Sequence, residues 1–241
     1  MTEAYGEAWY WDKRYEREAA EGGAPFDWYQ KYPSLAPLLR LYVPPHHRVL
    51  VVGCGNSAFS EGMVDDGYRD VVNVDISSVV IEAMQKKYSG NPHLKYMRMD
   101  VRDMSAFQKG SFNAVVDKGT LDSLLCGHNS RENAAKMLEE VGRYITYGAP
   151  NYRLRLMRES RSWTIRLHVI EKLRLEERYE RQTRELTSPI SLDGCGSSVE
   201  KLLGKNSDVH YIYVCIKDDS QVTGLRRESA IEGNAEHELA I

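Results

Sequence analysis

The chain has 241 residues, of which 42% are hydrophobic and 28% charged, as in an ordinary globular protein with enough apolar material for one sizeable core. Lys and Arg total 32 and Asp and Glu total 35, giving a formal net charge of −3, which argues against a dedicated nucleic-acid-binding protein. No apolar run approaches the roughly 20 residues that a membrane span needs, and the N-terminal segment lacks the apolar region of a secretory signal.

The four cysteines, at positions 54, 126, 195 and 215, have neither a Cys-x-x-Cys pair nor a histidine at metal-ligand spacing. They are typical of reduced thiols in the cytoplasm. The sequence therefore predicts a cytoplasmic protein without a metal site.

The first 45 residues are rich in aromatic side chains and predict a helical lid that belongs to the same domain as the rest. One helix is predicted for Glu7–Glu18, before the glycines at 22 and 23. A second is predicted for Tyr32–Leu41, before Pro44 and Pro45.

From Arg48 onwards, strands and helices alternate. Three helices are expected: one from the glycine-rich turn at 53–58 to about Gly67, one that begins at the cap Ser77, and one over Arg131–Arg143. The predicted strands are Arg48–Val52, Asp70–Asp75, Leu94–Met99, Ser111–Val116, Tyr144–Tyr147, Trp163–Ile170 and Val209–Ile216. This alternation predicts an α/β domain over residues 46–218, a Rossmann-like, doubly wound, mostly parallel sheet with helices on both faces. The charged segment Glu171–Leu186 is expected to be a solvated helix or exposed insertion, and residues 219–241 a mobile polar tail.

A glycine-rich turn follows the first predicted strand. Gly53-x-Gly55-x-x-Ala58 precedes a helix, and Asp75 ends the second strand twenty residues after Gly55. Glycine lets the backbone approach a ligand, and an acid at this distance accepts hydrogen bonds from ribose hydroxyls. The pattern predicts an adenosine-containing cofactor, either a dinucleotide or S-adenosylmethionine.

Asp100 and Asp117 end the third and fourth predicted strands. Because ligands of open α/β sheets bind beyond the carboxyl ends of the strands, Asp75, Asp100 and Asp117 are expected to converge on one crevice. Asp100 and the Val101 N–H group can meet an adenine there. In a methyltransferase, a methionine moiety and a methyl acceptor would lie beside the segment from Asp117 to Thr120.

The segment from Trp9 to about Leu125 resembles the class I, seven-stranded S-adenosylmethionine-dependent methyltransferases. Within them it is similar to the branch that includes the elongation factor 1-alpha lysine methyltransferases. The resemblance is carried by YWDKRY at 10–15, PFDWY at 25–29, VVGCGNS at 51–57, NVDIS at 73–77 and DKGTLD at 117–122.

The resemblance implies S-adenosylmethionine as cofactor and an enzyme that methylates a lysine of a protein partner, elongation factor 1-alpha. We also expect a monomer without a metal site. The cofactor would be covered by three aromatic residues, Trp11, Tyr15 and Trp28. Its methionine part would meet Gly53, and its adenine would pack on Ile76. Lys118 would contribute through its backbone. The implied cofactor-binding residues are Trp11, Tyr15, Trp28, Gly53, Gly55, Asn56, Asp75, Ile76, Asp100, Val101, Asp117 and Lys118. Asp122 is the candidate catalytic carboxylate, which would orient the acceptor amine. Its alternative role is a helix N-cap.

Near residues 141–146 the chain departs from the family pattern. Arg143 is followed almost directly by the strand Tyr144–Tyr147, about ten residues sooner than the family connection. Either the preceding helix or the fifth strand is therefore expected to be shortened. A shortened fifth strand, which is central in the family, would expose backbone. This departure leaves a cofactor-binding module whose catalysis is weak or lost as one alternative to methyl transfer. The glycine turn, which dinucleotide-binding proteins share, leaves an NAD-dependent oxidoreductase as another. The second lacks a Tyr-x-x-x-Lys pair for hydride transfer.

Overall fold

The computed structural model describes residues 2–108, 110–139, 143–148, 150–160, 163–172, 186–192, 199, 203 and 208–217. A short 3₁₀-helix, Thr2–Gly6, precedes the first α-helix. The helices are α1 (Ala8–Ala20), α2 (Tyr32–Tyr42), α3 (Phe59–Asp65), α4 (Ser78–Lys87), α5 (Thr120–Leu125), α6 (Ser130–Glu139) and α7 (Pro150–Ser160). The strands are β1 (Arg48–Val52), β2 (Asp70–Asp75), β3 (Leu94–Arg98), β4 (Ala114–Asp117), β5 (Arg143–Tyr147), β6 (Trp163–Glu171) and β7 (Val209–Lys217).

Within the described residues these strands form one seven-stranded sheet in the order β3-β2-β1-β4-β5-β7-β6. Strands β1 to β5 are parallel, whereas β7 runs antiparallel to both β5 and β6. The strand order reverses between β1 and β4, which is where open α/β sheets bind ligands. The predicted Rossmann-like, mostly parallel fold is confirmed.

The sheet is buried on both faces, as its β-branched runs predict. Along β1, Val49 and Val51 point into a cluster with residues of α2, α3 and α4. The alternate residues Leu50 and Val52 point into a second cluster with residues of α5, α6 and α7. This alternation fixes the register of β1, because a shift by one residue would move each side chain to the opposite face of the sheet. The position of the turn that follows Val52 is therefore fixed as well.

Several predicted boundaries shift. The fourth strand begins at Ala114 rather than Ser111. Asn113, just before it, contacts the first residue of β1: its Oδ1 accepts from the Arg48 N–H group at 2.9 Å, and its own N–H group donates to the Arg48 carbonyl at 2.9 Å. Helix α6 is described only to Glu139, and Arg143, predicted to be helical, pairs with Ile216 as the first residue of β5.

Strand β5 is the one predicted to be short. It has five residues and pairs with β4 at only two positions, Val115 with Tyr144 and Val116 with Ile145. It nevertheless pairs with β7 at five positions, and residues 144–147 are all buried. The exposure expected from a shortened central strand is therefore not observed.

Helix α7 was not expected from the sequence. Most of the charged segment Glu171–Leu186 and all of the predicted tail 219–241 lie outside the described residues. Within the described part of the chain, no helix has the length and apolar character of a membrane span.

Candidate functional site

A cavity opens at the carboxyl ends of β1, β2 and β4, and α1 and the loop at residues 26–29 cover it. The structure brings every predicted site residue except Asp117 to this cavity. The predicted residues on its wall are Trp11, Tyr15, Trp28, Gly53, Gly55, Asn56, Asp75, Ile76, Asp100, Val101, Lys118 and Asp122.

The glycine turn after β1 has no room for side chains. Gly53 and Gly55 have φ angles of 57° and 52°, in the left-handed region that favours glycine. A Cβ at Gly53 would lie 1.8 Å from Thr120 Oγ1, and one at Gly55 would lie 2.6 Å from Tyr15 Oη. The turn therefore offers bare backbone to a ligand, with the ring of Tyr15 packed directly against it.

Asp75 lies at the end of β2 with only 5% of its surface exposed. Its Oδ2 accepts from the Gly55 N–H group at 2.9 Å and its Oδ1 from the Ser77 N–H group at 3.0 Å. Burial raises the pKa of Asp75, although these backbone hydrogen bonds partly oppose the rise. Asp75 lines the cavity, and a carboxylate can accept about four hydrogen bonds, so this fixed pair of acceptor oxygens fits the hydroxyls of a ribose.

Asp100 lies on the cavity wall beside Val101, where an adenine is expected. Its carboxylate is also engaged by Arg102, whose Nη2 donates to Oδ2 at 2.6 Å and whose backbone N–H donates to Oδ1 at 2.9 Å. Burial would raise the pKa of Asp100, but the hydrogen bonds from Arg102 outweigh it and hold that pKa below its usual value. An adenine amino group that donates to Asp100 must therefore share a carboxylate oxygen with a hydrogen bond from Arg102.

Asp117 is a correction to the predicted site. It is fully buried and does not line the cavity. Its Oδ1 accepts from the backbone N–H groups of residues 119–121, and its Oδ2 accepts from the hydroxyls of Tyr144 and Thr146, each at 2.7 Å. These five donors use the lone pairs of the carboxylate, so Asp117 shapes the turn between β4 and α5 instead of meeting a ligand.

The Lys118 side chain holds the loop that covers the cavity. Its Nζ donates to Asp27 Oδ1 at 2.9 Å, to the Trp28 carbonyl at 3.2 Å and to the Gln30 carbonyl at 3.4 Å. Burial lowers the pKa of Lys118, although Asp27 opposes the effect. The ammonium group is thus committed to the protein, and the predicted backbone contact of Lys118 with a cofactor stays a prediction.

Asp122 lies at the mouth of the cavity on α5. Its Oδ2 accepts from Tyr29 Oη at 2.7 Å, and its Oδ1 accepts from Nη2 of the buried Arg153. The N-cap of α5 is Gly119, so the alternative role of Asp122 as a cap is excluded. Burial raises the pKa of Asp122, while Arg153 and Tyr29 partly lower it.

Sequence reasoning missed three residues that line the cavity or hold its wall in place. Tyr29 has a φ angle of 63°, and its ring stacks on that of Tyr147 with centroids 4.9 Å apart. Arg14 also lines the cavity, and Arg153 reaches Asp122 from α7. The motifs at 10–15 and 25–29 contain Arg14 and Tyr29, so the signal for these two was present, whereas Arg153 belongs to the helix that the sequence did not predict.

Comparison with known proteins gives a consistent picture. A family model described as a methyltransferase domain matches residues 50–148. The "eEF1A lysine and N-terminal methyltransferase" of Mus musculus is 39% identical over 150 residues, which are 61% of this chain and 21% of that protein. The "EEF1A lysine methyltransferase 4" of Mus musculus is 38% identical over 180 residues, which are 67% of this chain and 69% of that protein. The chain thus spans about a fifth of the length of the first relative and about two thirds of the second.

Solved structures share the fold at low sequence identity. The TehB-like SAM-dependent methyltransferase from Corynebacterium glutamicum superposes with a TM-score of 0.50 and 15% identity, over 88% of this chain and 98% of that one. A structure described for the conversion of a disulfide bond into a thioacetal group during echinomycin biosynthesis gives a TM-score of 0.55 and 16% identity, over 96% and 99% of the two chains. At such identities the likeness concerns the fold alone.

Proposed function

The chain belongs to the family of class I S-adenosylmethionine-dependent methyltransferases that includes the eEF1A lysine methyltransferases, and from this premise we propose that it methylates a lysine side chain of a protein. The proposed acceptor is eEF1A, the protein in the names of the curated relatives. The family favours methyl transfer over the NAD-dependent alternative.

One observation carries the proposal: a single cavity has a buried ribose-type carboxylate, Asp75, and a second carboxylate, Asp122, at its mouth. The bare backbone at Gly53 and Gly55 and the acceptor oxygens of Asp75 fit S-adenosylmethionine. Trp11, Tyr15 and Trp28 are proposed to cover it, since aromatic faces attract a cationic group and exclude water. When bound, this cofactor supplies an electrophilic methyl group.

The chain's own residues would then position the acceptor. A lysine ammonium, with an ordinary pKa of about 10.4, must lose a proton to solvent before its nitrogen is nucleophilic. Asp122 is proposed to accept an N–H hydrogen bond from this nitrogen and so to fix its direction of approach. Tyr29 and Arg153 hold the two carboxylate oxygens in place, so the amine meets a rigid partner, and such positioning supplies a large part of the rate of a transfer reaction.

A labelled-methyl assay on purified eEF1A, followed by mass spectrometry of the product, tests this function. We expect transfer by the wild-type protein, and a fall in kcat of about 10- to 100-fold for Asp122→Asn, the scale of one lost charged hydrogen bond. Affinity for S-adenosylhomocysteine should stay unchanged. The matched control is Glu132→Gln, an exposed acid on α6. Binding of S-adenosylhomocysteine without transfer to any protein would favour the alternative of a binding module.

The remaining proposals concern the state of the whole protein. We propose a cytoplasmic monomer that associates with neither membranes nor nucleic acids, in which residues 1–45 form the lid of the domain at 46–218. The near-neutral charge and the free thiols of Cys54, Cys126 and Cys215 support this proposal. Light scattering after size-exclusion chromatography and cell fractionation test it, and a dimer mass or a membrane-bound fraction would contradict it.

A further inference from the structure

Arg14 and Glu18 lie one turn apart on α1 and form a charged pair in the cavity wall. Arg14 Nε donates to Glu18 Oε1 at 2.7 Å, and the two side chains are only 19% and 22% exposed. Both residues line the same cavity as Asp75. An ion pair of this kind presents one cationic and one anionic partner to a ligand at the same place.

The order of the strands locates this pair relative to the nucleoside. Asp100 follows β3 and Asp75 ends β2, so the adenine and ribose positions lie over that side of the sheet. Glu18 Oε2 accepts from the side chain of Asn56, in the turn after β1, at 3.3 Å. The Arg14 guanidinium lies 5.2 Å from the ring centroid of Trp28, in the loop that Lys118 holds at the end of β4. The pair therefore lies beyond the ribose position, towards β1 and β4.

Arg14 is the basic side chain of this part of the cavity wall that can bind an anionic ligand. Of the cavity-lining residues that the structure describes, Arg14 and Lys118 are the basic ones. Lys118 Nζ already donates to Asp27 and to two backbone carbonyls. Arg14 makes one hydrogen bond to Glu18, and a guanidinium group has five N–H donors.

Three aromatic rings hold the Arg14 guanidinium in place. Its Cζ lies 5.5 Å from the ring centroid of Trp11, 5.8 Å from that of Phe26 and 5.2 Å from that of Trp28. Cation–π contacts of this kind restrict the arginine side chain, so little conformational entropy is lost when its guanidinium meets a carboxylate. The position is thus prepared for an anion before any ligand arrives.

We propose that Arg14 and Glu18 form the subsite for the amino-acid end of the cofactor, with Arg14 binding its carboxylate and Glu18 its ammonium group. The two charges of an α-amino acid match the two charges of the pair, and the bidentate match between guanidinium and carboxylate favours arginine over lysine. The inference rests on the proposed function in taking S-adenosylmethionine as the cofactor.

Calorimetric titration with two ligands tests the subsite without measuring turnover. S-adenosylhomocysteine carries the amino-acid end, whereas methylthioadenosine has the same nucleoside and sulfur but lacks it. We expect Arg14→Gln to weaken binding of S-adenosylhomocysteine by about 10- to 100-fold, the scale of lost charge-assisted hydrogen bonds. Binding of methylthioadenosine should change less than about threefold. Glu18→Gln should follow the same pattern with a smaller loss.

The matched control is Arg17→Gln, on the exposed face of the same helix, which should bind both ligands as the wild-type protein does. Equal weakening of both ligands by Arg14→Gln would show that Arg14 only supports the aromatic cluster, and would overturn the subsite. A wild-type protein that binds neither ligand would instead overturn the proposed function. The two failures are therefore distinguishable.

Discussion

Two lysine–aspartate pairs of equal length but different burial give a direct prediction about stability. In both, Nζ lies 2.9 Å from Oδ1, but the side chains of Lys118 and Asp27 are each 8% exposed, whereas those of Lys95 and Asp70 are 53% and 36% exposed. Breaking a buried pair leaves an uncompensated charge and costs about 3–5 kcal/mol. An exposed pair contributes about 1 kcal/mol or less.

We therefore expect Lys118→Met to lower the free energy of unfolding by about 3 kcal/mol and Lys95→Met by less than about 1 kcal/mol. The lower end applies to Lys118 because Ser57 Oγ still donates to the Asp27 carboxylate after the substitution. Urea unfolding followed by tryptophan fluorescence measures both values, and an unchanged m-value shows that the unfolded states are comparable.

Equal losses for the two variants would refute the reasoning, because the pairs have the same length, the Lys118 pair is the buried one, and Asp70 keeps Arg48 as a second partner. A second check is the double variant Asp27→Asn with Lys118→Met. It removes the unpaired charge as well as its partner, so it should be more stable than Lys118→Met alone. If the double variant is as unstable as the sum of the single ones, the charge of Asp27 is not the origin of the cost.

Three further outcomes are expected. Asp75→Ala should weaken binding of S-adenosylhomocysteine by about 100-fold in calorimetry and Asp100→Ala by no more than about tenfold, because the Asp100 oxygens already have donors; a reversed order would contradict the assigned ribose site. Gly53→Ala should lower the urea midpoint more than Gly67→Ala does, since both φ angles are positive but a Cβ at Gly67 meets nothing within 4 Å; equal midpoints would contradict the clash. Hydrogen bonds from Arg40, on α2, lower the pKa of Asp66. The Asp66 carboxylate therefore stabilises the fold above its ordinary pKa near 4. This stabilisation is lost as the pH falls through the lowered pKa of the folded state. The stability difference between wild type and Asp66→Asn should thus vanish in acid, and a difference that is constant with pH would contradict it.

The sequence predicts the strands of this fold well because each is specified locally. β1 and β2 are runs of buried residues, mostly valine, and their ends place Gly53 and Asp75 at one edge by geometry alone. Helix α7 escapes such reasoning because its buried residues include a charged one. Arg153 lies beside Leu154 in its interior, which breaks the apolar stripe that identifies a helix.

Prediction of the functional site from the sequence is limited in the same way, by contacts that the local sequence does not show. Asp75 could be assigned because its partners, Gly55 in the glycine turn and Ser77 at the predicted helix cap, both belong to segments that the sequence identifies. Asp117 was assigned to the ligand by the same rule, but two of its partners, Tyr144 and Thr146, come from a strand almost 30 residues later. A strand-end acid is therefore predictable as a polar position, while tertiary contacts decide whether it faces a ligand or the core.

The five hydrogen bonds at Asp117 also restrict how this protein can be recombined with its relatives. A chimera that takes its C-terminal half from another family member would bring in a new β5, and with it new residues at positions 144 and 146. A donor with phenylalanine and valine there would leave the carboxylate half-satisfied in a dry interior, at a cost of about 1–3 kcal/mol for each missing partner. We therefore expect a chimera to fold where the donor strand has hydroxyl side chains at both positions. Residues 144 and 146 of the donor sequence thus predict whether its β5 is compatible with Asp117.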